Sequence, residues 1–131
     1  MEKLNFEALG LAIQQFEKGL LEAMAHPENA LMRDGVIQRF EYTMDLSWKM
    51  IQRYLRGIQL EESAIRSKND LFREAARLDL IEDAARWIRH YAARNETSHD
   101  YNTEKADRVY AQASLFLPDV KKLWETLARA T

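Results

Sequence analysis

The chain contains no cysteine, and it has only four glycines and two prolines among its 131 residues. Without cysteine, disulfide bonds, zinc–thiolate sites and cysteine nucleophiles are excluded. No apolar stretch approaches the roughly 20 residues of a membrane span, and no basic region followed by an apolar run marks a signal peptide. We therefore expect a cytoplasmic protein that makes no membrane contact.

Basic and acidic residues are nearly equal in number, and the formal net charge is −2. Proteins that coat nucleic acid without sequence preference are usually basic, so that class is disfavoured, while a local basic site remains compatible with the composition. The length suits one hydrophobic core, and no repeat, linker or low-complexity segment divides the chain. We expect a single domain over residues 1–131.

Strict alternation of apolar and polar residues, the pattern of strands, is absent, and helical spacing dominates. This spacing predicts a first helix over Leu4–Ala25. His26 and Pro27 end it, because the residue before a proline avoids the helical region. We expect a loop over Glu28–Asp34.

A second helix is predicted over Gly35–Gly57, with apolar residues at a heptad repeat that is typical of a bundle seam or a coiled coil. Asp45 and Lys49 have the spacing of a favourable ion pair within the helix. Glu41 and Asp45, one turn apart, either act together or belong to a solvated face. The repeated apolar residues are Ile37, Met44, Ile51 and Ile58.

A short third helix is predicted over Asp70–Leu78, capped by Ser67, and a fourth over Glu82–Ala93. At 100° per residue, the fourth helix has an apolar face, expected in the core, and an opposite basic face. Arg86 and His90 on the basic face are candidate cleft or RNA-binding residues, with a plain surface position as the alternative for His90. The apolar face carries Ile81, Ala84, Ala85, Ile88 and Ala92, and the basic face carries Arg86, His90 and Arg94.

Residues from Asn95 to Asn102 compete with helix through local side-chain hydrogen bonds, so we expect a loop or a helix break there. The last helix begins near Thr103, a predicted N-cap, and Pro118 either kinks it or splits it in two. The predicted fold class is therefore all-α, an up-and-down bundle of four to five helices.

The segment from Arg94 to Tyr101 combines a phosphate binder, a proton carrier and a phenol. Arginine grips phosphate with a planar fork, and histidine moves protons near neutral pH. RNA cleavage by its own 2′-hydroxyl needs proton transfer, which His99 can supply, and charge on the phosphorane oxygens, which Arg94 can supply. Asn95 could orient the phosphate or the imidazole. This interpretation makes Arg94, His99 and Asn95 candidate catalytic residues.

Geometry restricts this hypothesis. In one straight helix positions 94 and 99 differ by about 140°, so the two side chains converge only if the helix breaks between them. One motif histidine per chain also has to serve a reaction that wants both an acid and a base. A two-fold dimer, the commonest oligomer, would bring two copies of Arg94 and His99 into one cleft. The heptad stripe of the second helix offers apolar surface for such an interface.

Structural alternatives stand beside this hypothesis. Arg94 could form a salt bridge at a helix C-terminus, and Tyr101 could be a packed aromatic at a helix start. The three tryptophans at helical spacing fit a core better than a base-stacking platform. A metal site built from His90, His99 and Asp100 fits no standard ligand scheme, so we expect neither a metal nor another cofactor.

Three separated blocks, Val36–Lys49, Asp70–Ala76 and Arg94–Asn102, resemble a known family in the same order. The first resembles the "QRFE-x-T-x-E/D-L-x-W-K" signature of the nucleotidyltransferase substrate-binding proteins, with Asp45 where glutamate is frequent. The second is similar to that family's third-helix motif, and the third to its "RN-x-T-S-H-x-Y" segment. The family belongs to the wider HEPN group of helical domains.

The resemblance implies a helical bundle that commonly dimerises and binds a minimal nucleotidyltransferase (MNT) encoded beside it. HEPN proteins with an intact arginine–histidine motif are often metal-independent RNases, and many act as toxins. Carried over by position, Arg94 and His99 are the RNase pair, and Asn95 is the polar residue after the arginine. Tyr101 is the acceptor that the partner adenylylates to silence the RNase.

Three functions therefore compete. The first is an RNase toxin held in check by its nucleotidyltransferase partner. The second is a non-catalytic subunit that binds a substrate or nucleotide for that partner. The third is a purely structural dimerisation bundle, which predicts that Arg94 and His99 matter neither for RNA cleavage nor for binding.

Overall fold

Five α-helices make up the described part of the chain, which covers residues 6–57, 65–97 and 102–130 of a computed structural model. No strand occurs within these residues, which confirms the predicted all-α class. In the same residues, no helix is both long enough and apolar enough to cross a bilayer. The helices are α1 Phe6–Ala25, α2 Ala30–Gly57, α3 Lys68–Arg77, α4 Ala84–Glu96 and α5 Thr103–Ala130.

The connection between α1 and α2 is shorter than the loop that we predicted. Helix α2 begins at Ala30, five residues before the predicted start at Gly35. The side chain of Asn29 accepts a hydrogen bond from the backbone N–H of Met32 at 3.0 Å, as an N-cap does. The predicted loop over Glu28–Asp34 is therefore wrong, because a capping asparagine starts the helix inside it.

Helix α3 begins as its capping signal predicts. The Ser67 hydroxyl accepts a hydrogen bond from the backbone N–H of Asp70 at 3.1 Å, and the Asp70 carboxylate accepts one from the N–H of Arg66. After the last turn, Asp79 takes a left-handed backbone with φ of 61°. The N–H groups of Asp79 and Leu80 return to the carbonyls of Ala76 and Ala75, which closes the helix in a Schellman arrangement.

Helix α4 is displaced towards the C-terminus relative to its predicted range of Glu82–Ala93. Asp83 caps its start by accepting the N–H of Arg86, and the helix continues to Glu96. Arg94 and Asn95 therefore belong to the last turn of α4, which ends at Glu96, and residues 98–101 of the predicted break lie outside the described residues.

Helix α5 runs unbroken past Pro118, so the proline does not split it. Its N-cap is Asn102, whose side chain accepts the N–H of Lys105 at 2.9 Å, rather than the predicted Thr103. A proline removes one backbone donor, and the interior of this helix tolerates that loss.

The core lies between α1, α2 and α5, with α4 packed against α5 and α3 packed against α4. Three phenylalanines, one from each of α1, α2 and α5, lie with their ring centroids 5.3–6.3 Å apart. They are Phe16, Phe40 and Phe116. Trp87 of α4 packs edge-on against Phe116 at 5.2 Å, so one aromatic cluster joins four helices. This cluster fixes where α4 sits, and α4 carries the candidate site.

The apolar heptad residues of α2 pack in the hydrophobic core of the chain itself. Ile37, Met44 and Ile51 are each 3% exposed or less. We expected this stripe to leave apolar surface for a dimer interface, and that expectation is wrong for these three residues because they contribute to the core. Ile58, the fourth member, lies outside the described residues.

The most buried face of α4 is not the face that we predicted, although Ile81 before the helix is buried and Ala84 and Ile88 pack partly against the core. Trp87, His90 and Ala93 are buried, whereas Ala85 and Ala92 are exposed. The large Trp87 ring selects the face, since burying it removes far more apolar area from water than burying two alanines. His90 consequently lies in the core, and its predicted surface position is wrong.

Candidate active site

Arg94, in the last turn of α4, is held by two carboxylates from α2. Its Nε and Nη2 donate to the two oxygens of Asp45, each at 3.0 Å, which makes a bidentate pair. Its Nη1 donates to Oε2 of Glu41 at 3.1 Å. Glu41 and Asp45 lie one turn apart on α2, so both face the same guanidinium. Of the two interpretations of these acids, the structure favours joint action.

This cluster of Arg94, Glu41 and Asp45 is partly open to solvent. The three side chains are 23%, 28% and 33% exposed respectively. The hydrogen bonds to Asp45, and then the charges of Asp45 and Glu41, raise the pKa of Arg94 against the opposing effect of burial. The arginine is therefore permanently charged and fixed in place, yet accessible to a ligand from outside.

The remaining motif residues divide at the end of α4. Asn95 follows Arg94 in the helix and has an exposed side chain. The Thr97 hydroxyl donates to the carbonyl of Arg94 at 3.1 Å, which satisfies a backbone acceptor at the helix end. The predicted acid–base residue His99 and the predicted modification acceptor Tyr101 lie outside the described residues.

His90 and Arg86, the other candidate residues, meet in a second cluster on the side of α4 that faces α5. Arg86 donates to both carboxylate oxygens of Asp119, at 3.1 and 2.6 Å. His90 Nε2 lies 2.7 Å from Oδ2 of the same carboxylate, and its Nδ1 lies 2.8 Å from Nε2 of Gln112. Both ring nitrogens of His90 are thus engaged within the protein.

The partners of His90 determine its tautomer. An amide nitrogen has only hydrogens to offer, so Gln112 donates to Nδ1, and Nε2 carries the proton that is donated to Asp119. The ring is 1% exposed, and this burial lowers the pKa of His90 despite the nearby carboxylate. At Asp119 burial opposes ionisation, but hydrogen bonds from Arg86 and His90 outweigh it and lower the pKa. His90 is therefore neutral beside a charged aspartate.

This second cluster gives His90 a position in the core, whereas the predicted cleft or RNA-binding role of Arg86 stays a prediction. His90 is too buried to reach a ligand in the described structure, whereas Arg86 is 40% exposed and held through Asp119. Both residues join α4 to α5. Sequence reasoning did not identify Asp119 or Gln112, because residues 22 to 33 positions away in another helix leave no local signal.

No group of three or more histidine, cysteine, aspartate or glutamate side chains within the described ranges is arranged to hold a metal ion. The Arg94 cluster offers a different chemistry. A fixed, accessible guanidinium is suited to bind a phosphate or to stabilise charge that develops on one.

Comparison with known proteins agrees with the three blocks identified in the sequence. Over residues 4–129 the chain matches the family described as "Nucleotidyltransferase substrate binding protein like". It is 34% identical over 136 aligned positions to a Haemophilus influenzae protein named "Probable ribonuclease HepT", across 96% of this chain and 93% of that protein.

The fold has a solved counterpart in HI0074 from Haemophilus influenzae, described as the fold of a substrate binding domain of a nucleotidyltransferase. The two share a TM-score of 0.85 and 32% sequence identity over 95% of this chain and 99% of that one. The resemblance read from the sequence is confirmed: the chain belongs to the nucleotidyltransferase substrate-binding protein family.

Proposed function

We propose that this chain is the HEPN subunit of a two-component module, and that it is a metal-independent RNase toxin held in check by a minimal nucleotidyltransferase partner. The observation that carries the proposal is the accessible Arg94 guanidinium, fixed at the end of α4 immediately before the segment that contains His99. The relative named a probable ribonuclease supports the same activity.

In the proposed reaction the 2′-oxygen of RNA attacks the adjacent phosphorus while the bond from phosphorus to the 5′-oxygen breaks. A base takes the proton of the 2′-hydroxyl, and an acid gives a proton to the departing 5′-oxygen. The products are a 2′,3′-cyclic phosphate and a 5′-hydroxyl. Arg94 stabilises the charge on the phosphorane oxygens, and Asn95 assists in orienting the phosphate.

His99 carries the proton transfers. Because one chain supplies a single motif histidine, a homodimer with two copies of His99 in one cleft supplies both the base and the acid. Tyr101 is the control site: an adenylyl group on its hydroxyl, two residues from His99, would add bulk and negative charge that repel an RNA phosphate.

The test uses purified, unmodified protein with structured RNA and tRNA in EDTA. We expect the parent to cleave and to leave 2′,3′-cyclic phosphate ends, and Arg94→Ala and His99→Ala to abolish cleavage. Arg89→Ala is the matched control, since Arg89 is an exposed arginine on the same helix. A His99→Ala protein that cleaves as well as the parent refutes the catalytic assignment.

A second candidate function is a non-catalytic subunit that binds substrate or nucleotide for the transferase. The description of the HI0074 fold as a substrate binding domain favours it. So does the near-neutral composition, because the formal net charge of −2 is low for a protein whose main contacts are with an RNA backbone. Absence of cleavage by folded protein without a nucleotide on Tyr101, together with a dependence of the transferase on this chain, would establish this function.

A further inference from the structure

The two carboxylates on Arg94 come from far away in the sequence and act on different parts of the guanidinium. Asp45 is 49 positions from Arg94 and occupies the Nε–Nη2 edge. Glu41 is 53 positions away and occupies Nη1. An arginine side chain has many rotatable bonds, so several contacts are needed to hold it in one conformation. Three hydrogen bonds hold Arg94.

Counting donors shows what the carboxylates leave available. A guanidinium has five N–H groups, of which Nε holds one and each Nη holds two. The three contacts to Asp45 and Glu41 use one hydrogen on each nitrogen of Arg94. One N–H therefore remains on Nη1 and one on Nη2, on a side chain that is 23% exposed.

We propose that Asp45 and Glu41 are positioning residues that hold Arg94 in one orientation, so that its two remaining N–H groups meet the scissile phosphate. This inference rests on the proposed RNase function. The carboxylates do not attract RNA, because their charges exceed that of the arginine. Their contribution is orientation, and misplacing a catalytic group by about 1 Å can reduce a rate by roughly 100-fold.

The first variants change one carboxylate at a time. Asp45→Asn keeps the shape but turns an NH₂ group towards the arginine donors, so we expect kcat to fall by about 10- to 100-fold. The KM for RNA should not rise, because a negative charge has been removed. Asp45→Glu keeps both oxygens and should retain most of the activity. Glu41→Gln keeps an oxygen that can accept from Nη1, so it should lose less activity than Asp45→Asn.

Chemical rescue separates positioning from a general effect on folding. Arg94→Ala removes the side chain and leaves the two carboxylates as a site for free guanidinium ion at millimolar concentration. We expect guanidinium to bind this variant, followed by NMR titration, and to restore part of its RNA cleavage. Neither effect should occur in Arg94→Ala combined with Asp45→Asn. Arg94→Ala combined with Glu74→Gln is the control, because Glu74 pairs with Arg77 on α3.

The outcomes distinguish the inference from the function on which it rests. Equal guanidinium binding with and without the Asp45→Asn change would overturn the positioning role, whatever the parent does to RNA. So would an Asp45→Asn protein with the kcat of the parent. If guanidinium binding depends on Asp45 while the parent leaves RNA intact, the carboxylates do organise a guanidinium site and it is the RNase function that fails.

Discussion

Replacing Asp119 with alanine removes the acceptor that joins α4 to α5 through His90 and Arg86. The variant leaves the Nε2–H of His90 buried without a partner, because that ring is 1% exposed. An orphaned buried donor costs about 1–3 kcal/mol. The Arg86 side chain is 40% exposed and can rehydrate, so loss of its ion pair adds at most about 1 kcal/mol.

Alanine has a higher helix propensity than aspartate, and this difference offsets about 0.5 kcal/mol of the lost stability. We therefore expect the free energy of unfolding of Asp119→Ala to be about 1–3 kcal/mol below that of the parent. For a domain of this size, that corresponds to a fall in Tm of roughly 4–12 °C. Asp119→Asn, which keeps an oxygen acceptor but loses the charge, should fall between the parent and the alanine variant.

Urea denaturation at neutral pH, followed by circular dichroism, measures this difference as a change in midpoint at constant m-value. Asp107→Ala is the control, since Asp107 pairs with Arg33 through a side chain that is 66% exposed. That variant should lose little stability. If Asp119→Ala were no less stable than Asp107→Ala, the buried network would not hold α4 against α5, and the reasoning would be refuted.

Three further predictions concern stability. Burial lowers the pKa of His90 below the ordinary histidine value of 6.5, so the folded state binds a proton less readily than the unfolded chain, and the free energy of unfolding should fall as pH falls below about 6.5. Urea unfolding of the parent and of His90→Gln at several pH values checks this, and equal pH dependence of the two proteins would contradict it. Gly35→Ala should stabilise α2 by about 1 kcal/mol, because nothing lies within 4 Å of the added methyl group, and an unchanged Tm would argue against it. Asp79→Gly should raise the free energy of unfolding by about 1 kcal/mol, because glycine adopts the φ of 61° without strain. Thermal unfolding measures this, and a lower Tm than that of the parent would count against the Schellman interpretation.

The helices themselves could be predicted from the sequence because helical periodicity and capping are local properties. Helical spacing and capping signals located the five helices of the described residues, and Ser67 marked the start of α3. The boundaries of α2 and α4 were wrong where a cap was overlooked, at Asn29 and at Asp83. Family membership was also readable from the sequence, since the three blocks are contiguous runs.

The buried face of α4 could not be predicted from the sequence. Periodicity shows which residues share a face, but both faces of this helix carry apolar residues. The buried face is set by the packing of Trp87 against Phe116 and by Asp119 and Gln112, which are hydrogen-bond partners of the buried His90. Burying a polar ring is costly unless it forms hydrogen bonds, and the hydrogen-bond partners of His90 lie on α5.

The candidate site also has a part that the sequence identifies and a part that depends on contacts between helices. The sequence by itself identified the family, the all-α class and Arg94 as a residue of interest, and it showed that Glu41 and Asp45 lie one turn apart. It predicted that Asp45 would pair with Lys49 on its own helix. Only the tertiary structure decided that Asp45 and Glu41 meet Arg94, because contacts across some 50 positions depend on how α2 and α4 pack.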